Sequence, residues 1–460
     1  MKTGTDTATS AQAGANPLFR RIICGALARM PYGTLTVRMP DGEVLTYGRG
    51  ASPSGHTVKA AVVIHDADFF RRCVVFGHIG FAEAYMDGHW ETDDIASVIA
   101  WFLLNLNDCG LLEGTGKKPV FVNFMGFINQ CLHVFKHNSQ SNSKKNISYH
   151  YDLSNELFKL FLDETMTYSS AFFKDAQAGL KDAQIAKYDA ICRKLDIKAT
   201  DHILEIGSGW GGFALHAVQN YGCRHTGVTI SKEQLDYATE LVKAAGLSDK
   251  IEFRLLDYRK LDGSKERFDK IVSIEMIEAV GHEYLDAFFN KCDEMLKPDG
   301  LLAMQMITCP DSRYDLIRQN TDFIQKHIFP GSLLPSLRQV SQSMQKTELF
   351  LHDLEDLGND YARTLVTWQE RFEGRLQEVY ALGFDAVFVR KWRYYLSYCA
   401  AAFAMRNITV VQAVYTRPNN LSLSHGLLPR FAADKALLDR GAIEPSVHSK
   451  TTQDKVNARS

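Results

Sequence analysis

ILEIGSGWGGFA, residues 203–214, is the stretch on which the fold turns. An apolar run leads into Gly207, Gly209 and Gly212 at the spacing G-x-G-x-x-G, which reads as a tight turn from a strand into a helix. Backbone N–H groups and the helix dipole at such a turn favour an anionic group. The pyrophosphate of a dinucleotide and the carboxylate of an amino-acid moiety both satisfy that demand. Outward from the loop, apolar strands are expected at HILEIG (202–207), RHTGVTIS (224–231), IEFRLLD (251–257), FDKIVSIEMI (268–277) and GLLAMQMIT (300–308). Helical or polar connectors separate them, which predicts a mostly parallel, doubly wound α/β sheet.

The second strand discriminates between the two anions. A dinucleotide fold places a carboxylate roughly 20 residues on for the ribose hydroxyl, but this strand ends in Gly227, Val228, Thr229 and Ile230. Glu205 before the first glycine and bulky Trp210 inside the loop also suit a nicotinamide site poorly. Acid-x-Gly-x-Gly is instead the first motif of class I Rossmann-like methyltransferases that use S-adenosylmethionine. Glu205, Gly207, Gly209 and Gly211 are then expected around the cofactor, with Asp257 and Tyr258 at the third strand end placed to meet its adenine.

Composition sets outer limits. A net charge of −2 gives no global field toward nucleic acid. Nine cysteines without a C-x-x-C pair suggest free thiols in a reducing, cytoplasmic setting. No apolar run reaches the ~18–20 residues that span a bilayer, so IASVIAWFLLNLN (95–107) and FVNFMGFINQCLHVF (121–135) read as buried helices. A lipid-directed activity would be peripheral to the membrane. The chain divides into a disordered lead-in (1–16), a small α+β domain (17–135) with an Asp41-Gly42 hairpin turn, and a Ser/Asn-rich linker (136–148). A catalytic domain (149–437) follows, mostly helical in its last third apart from a strand at 408–417, and then a disordered tail (438–460).

Longer segments narrow the chemistry. YHYDLSNELFKLFLDETMTYSSAFF (149–173), GVTISKEQLDYA (227–238), MIEAVGHEYLDAFF (276–289) and WRYYLSYCAAAFAMRNITVVQAVYTRP (392–418) closely resemble cyclopropane-fatty-acyl-phospholipid synthases and their mycolic-acid-modifying relatives. GFAEAYMDGHWETDDI (80–95) resembles the small N-terminal domain that long members carry. The resemblance implies transfer of a methylene from S-adenosylmethionine to a cis double bond of phospholipid acyl chains, with peripheral membrane contact and a homodimer as a candidate assembly. Methyl- or methylene-branching of acyl chains, and methylation of a small molecule, are the alternatives. Carried onto this chain, the resemblance puts Tyr168, Ser169, Gly207, Gly209, Thr229, Gln234 and Tyr258 on the cofactor, with Thr229 and Gln234 standing in for the missing acid. It places Glu278, Tyr361, the backbone of Ile307, and Cys399 at the catalytic pocket, around a bound bicarbonate as a second cofactor. Two positions depart: Ser170 replaces a cysteine, and Gln305 replaces a histidine and cannot titrate.

An alkene is a weak nucleophile, so its attack requires dehydration and alignment, which can lower a barrier by roughly 7–11 kcal/mol. The chain becomes cationic, and Tyr168, Phe172, Phe173, Tyr361, Tyr394 and Tyr395 are the aromatic faces available to it. A base must then take a proton. Glu278, directly or through a bound anion, is the candidate to organise that step.

Overall fold

The computed structural model describes residues 17–106 and 154–423. The expected lead-in, the apolar segment 121–135, the linker 136–148 and the tail 438–460 lie outside the described residues.

The N-terminal unit runs α1 (Pro17–Leu27), β1 (Gly33–Arg38), β2 (Val44–Gly50), β3 (Lys59–Ile64), α2 (Asp68–Met86), β4 (Trp90–Glu91) and α3 (Ile95–Leu104). Its sheet has the order β2-β1-β3-β4. The β1–β2 hairpin closes over Asp41-Gly42, where Gly42 has a φ of +89° that a side chain would resist. Segment 95–107 forms α3 as far as Leu104. Asp94 caps this helix by accepting from the Ser97 N–H, and Trp101 is fully buried.

The second unit begins with α4 (Asn155–Phe161) and α5 (Leu180–Lys194). The alternating segment follows as β5 (His202–Ile206), α6 (Gly212–Tyr221), β6 (Arg224–Thr229), α7 (Lys232–Ala244), β7 (Ile251–Leu255), β8 (Phe268–Ile274), α8 (Leu285–Met295) and β9 (Leu296–Thr308). After a run of short helices come β10 (Phe350–Asp356), α9 (Gly358–Glu373), α10 (Ala386–Ala404) and β11 (Thr409–Thr416). The sheet order is β10-β11-β9-β8-β5-β6-β7. β5 pairs in parallel with β6 on one side and β8 on the other, so the strand order reverses beside it. Ligands of open α/β sheets bind outside the carboxyl ends of the strands at such a point, and the glycine loop is there.

The strands expected from sequence form, and the sheet is the mostly parallel, doubly wound one. One strand of this sheet was not expected. β10 is an exposed edge strand that pairs antiparallel with β11 and shows Phe350, Leu351 and Leu354 to the outside.

The two units share one hydrophobic core. α10 is its centre: the Tyr85 and Tyr394 rings lie 5.9 Å apart, and the Arg390 guanidinium donates to the backbone oxygens of Tyr85 (2.6 Å) and Trp90 (3.0 Å). Across the same boundary Lys326 reaches Glu83 at 2.6 Å.

Candidate active site

The glycine loop forms the floor of a cavity of about 1450 Å³. Gly207 has φ +86°, and a Cβ there would lie 2.7 Å from the Met276 side chain. Gly209 has φ +51°, and a Cβ there would project into open space. That gap is a cradle which a side chain would fill. Gly211, expected on the cofactor, is not in the cavity wall. Its φ of +87° and its 3.1 Å approaches to Ala238 and Phe253 show that it lets the loop pack onto α7 and β7.

Around this floor, Glu205 at the end of β5 faces the cavity with one oxygen 3.1 Å from His225 Nε2. Burial pushes its carboxyl pKa up. At the end of β6 the Thr229 hydroxyl donates to Gln234 Oε1 at 3.0 Å, and Ser231 caps α7. Asp257 and Tyr258 line the far side, where Asp257 holds Arg259 at 2.6 Å. The open glycine, the buried carboxylate, the hydroxyl–amide pair and the Asp257–Tyr258 corner fit the amino-acid, ribose and adenine parts of S-adenosylmethionine.

The opposite wall carries the catalytic candidates. Glu278 sits in the short turn after β8 and faces the cavity. Its Oε1 accepts from the Ile307 N–H at 2.5 Å, and its Oε2 has no hydrogen-bond partner among the described residues. Burial, reinforced by the charge of nearby Glu275, pushes its pKa up to about 8. The Tyr168 hydroxyl meets the Tyr395 hydroxyl at 2.8 Å, and the Tyr168 ring stacks on Trp368 at 5.1 Å. Ser169 lines the cavity and accepts from Lys187 Nζ at 2.6 Å; burial pulls the pKa of that lysine down to about 7. Cys399 lines the cavity as well, but burial raises its thiol pKa, which opposes a nucleophilic role. Of the aromatic faces, Tyr168, Tyr361, Tyr394 and Tyr395 line the cavity and Phe172 and Phe173 do not. The Phe173 N–H is tied to Asp360 and its ring lies under Arg363. Phe329, Tyr398 and Phe403 join the wall in their place.

Ser170 and Gln305 are fully buried behind the wall, not in it. Both hold a residue that the sequence reading missed. The Ser170 N–H and Gln305 Nε2 donate to Glu275 Oε1 at 2.8 and 2.7 Å, and the Tyr361 hydroxyl hydrogen-bonds the same carboxylate. Gln412 secures Gln305 in turn at 3.1 Å. Glu275 faces the cavity at the carboxyl end of β8, with φ +48°. A left-handed glutamate is uncommon and typical of positions that the surroundings over-determine. Of the donors implied around a bicarbonate, the Tyr361 hydroxyl engages Glu275 and the Ile307 N–H engages Glu278, so carboxylates of the chain itself take up both.

The raised pKa of Glu278 predicts a pH-dependent stability. The folded protein holds this proton up to about pH 8, whereas the unfolded chain releases it near 4.5. The resulting stabilisation is complete below the lower value and is lost as pH rises toward the upper one, at no more than about 1.4 kcal/mol per pH unit. Glu278→Gln removes the titration. The Tm of the wild type is therefore expected to fall relative to that variant between pH 5 and 8, and parallel melting curves across this range would contradict the assignment.

Residues 137–413 match the family model described as mycolic acid cyclopropane synthetase. The chain belongs to this family. It is 35% identical over 414 residues to the tuberculostearic acid methyltransferase UfaA1 of Mycobacterium tuberculosis, covering 88% of this chain and 91% of that protein. It is 37% identical over 371 residues to the cyclopropane-fatty-acyl-phospholipid synthase of Escherichia coli K12, covering 78% and 88%. Among solved structures, mycolic acid cyclopropane synthase CmaA1 complexed with SAH and CTAB aligns with a TM-score of 0.56 at 32% identity, over 60% of this chain and 98% of that one. The family and the cradle together make this protein an S-adenosylmethionine-dependent methyltransferase.

Proposed function

We propose that the enzyme cyclopropanates cis-unsaturated acyl chains of phospholipids. The observation that carries this reading is the continuity of the cavity. From the glycine loop and the two glutamates it runs past Tyr361 and Tyr395 into the N-terminal unit, where Ile23, Leu27, Val37, Val62 and Phe70 line it. A long, apolar, flexible substrate is what such a passage suits. The names of the relatives in Escherichia coli and Mycobacterium tuberculosis support a lipid acceptor.

Bound S-adenosylmethionine supplies a methyl group on a positively charged sulfur. The residues of the chain do the rest. Glu205, Gly209, Thr229, Gln234, Asp257 and Tyr258 hold the cofactor. The apolar walls exclude water and align the double bond. Tyr168, Tyr361 and Tyr395 face the positive charge that develops on the acyl chain, an attraction of about 2 kcal/mol or more in a dry site. The Glu275–Glu278 pair provides the proton acceptor. We assign the catalytic unit to residues 149–437 and substrate admission to the unit that begins at residue 17. In α1 of that unit Phe19, Ile22 and Ile23 line the cavity, and Ile22 together with Leu18 is also exposed, which suits peripheral contact with a lipid surface. No helix among the described residues is long and apolar enough to cross a membrane.

The test supplies methyl-labelled S-adenosylmethionine together with vesicles of either cis-monounsaturated or fully saturated phospholipid. Label is expected in the lipid fraction only with the unsaturated vesicles. Equal labelling of both would move the acceptor away from the double bond, and no lipid label despite cofactor binding would redirect the search to small molecules.

A further inference from the structure

The cavity wall holds two carboxylates three residues apart, and their surroundings differ. Glu278 receives one backbone N–H and keeps one oxygen without a partner among the described residues. Glu275 is gripped from three sides by the Ser170 N–H, Gln305 Nε2 and the Tyr361 hydroxyl, with the buried Lys187 adding a favourable charge. Burial alone raises the pKa of Glu275, which makes it a better proton acceptor, and those donors and the lysine oppose the rise and favour the anion. When two close carboxylates share one site, the one with more donors carries the charge and the other the proton.

We propose that the Glu275 carboxylate is the proton acceptor of the reaction and stands where a small exogenous anion would otherwise act. The assignment rests on the acyl-chain reading above. The electron pair of a C–H bond in the cationic chain closes the last ring bond, and its proton passes to a Glu275 oxygen. The chain becomes neutral and the carboxylate becomes a carboxylic acid, which returns the proton to water once the product has left. The backbone places Glu275 for this task. The Glu275 N–H donates to the Gln305 carbonyl at 2.7 Å and so pins the left-handed turn, and the Gln305 side chain orients the carboxylate at the same time. A glutamine at 275 could still accept from Ser170 and Gln305, so it keeps the fold of the segment and removes only the basicity.

The first test needs no variant. Wild-type turnover on cis-monounsaturated phospholipid vesicles is measured in carbon-dioxide-free buffer and again with added bicarbonate. Equal rates are expected; a rate that collapses on depletion and returns with bicarbonate would overturn the proposal. Glu275→Gln is expected to lower kcat by roughly 10²–10⁴-fold, the usual worth of a general base, with the KM for S-adenosylmethionine unchanged. Glu278→Gln, which preserves a neutral hydrogen-bonding group, is expected to cost less, and the reverse ranking would make Glu278 the acceptor. Formate or bicarbonate should restore part of the activity of Glu275→Ala, because the deleted carboxylate leaves its donors behind. A merely structural Glu275 would show no such rescue. A wild type that binds cofactor but labels no lipid would overturn the acyl-chain reading itself, a result separate from any ranking of the two glutamates.

Discussion

Gly209→Val is expected to abolish S-adenosylmethionine binding measurable by calorimetry, a loss of at least roughly 100-fold in affinity, while the protein stays folded. Two effects act together. A Cβ at 209 projects into open space in the cavity, so the added isopropyl group takes volume from the ligand and not from the core. A β-branched residue is also a poor occupant of φ +51° and would shift the loop to relieve itself. Every tenfold loss of affinity corresponds to about 1.4 kcal/mol, and both effects exceed that scale when a cofactor must lie against backbone. Unchanged affinity would remove the loop from the cofactor site.

Trp368→Ala is expected to destabilise the protein by about 3–5 kcal/mol, the usual cost of truncating a buried aromatic side chain. The indole is fully buried in α9, stacks on Tyr168 at 5.1 Å, and meets the rings of Phe161 and Tyr361 edge-on at 6.1 and 6.2 Å. It therefore backs two tyrosines of the cavity wall at once. The Tm should fall on the order of 10 °C, and turnover of the surviving folded fraction should fall with it, because Tyr168 and Tyr361 lose the surface that fixes their rings. Trp368→Phe, which retains an aromatic face, should recover most of both. A Tm within about 2 °C of the wild type for the alanine variant would show that the cluster does not bear on stability as its packing implies.

Much of this arrangement is legible along the chain because its determinants are local. The glycine spacing at 207–212 specifies a turn, and the apolar strands at 202–207, 224–231 and 268–277 specify parallel partners buried on both faces. The absence of an acid at the end of the second strand speaks against a dinucleotide, but Thr229 and Gln234 are readable only through the family resemblance, which places polar side chains there. What escaped reading depends on distant contacts. Glu275 is positioned by Ser170, 105 residues away, and by Gln305, 30 residues away. The only signal in SIEMIEAVG is a second glutamate at the carboxyl end of a strand. Ser170 and Gln305 align with pocket residues of the resembled family, and here their donors turn onto Glu275. β10 escaped because an edge strand interleaves Asp353 and Glu355 with its apolar residues and buries little. The extension of the cavity into the N-terminal unit depends on how α2 and α3 dock on α10, which no local pattern encodes.

The most direct measurement of the central claim is proton NMR of the fatty esters recovered after turnover with cis-monounsaturated phospholipid vesicles. Cyclopropane and methylene-branched products have the same mass, so mass spectrometry does not separate them. The account predicts high-field ring protons together with loss of the olefinic signal. A labelled product that retains olefinic protons, or a saturated methyl branch without ring protons, would contradict it.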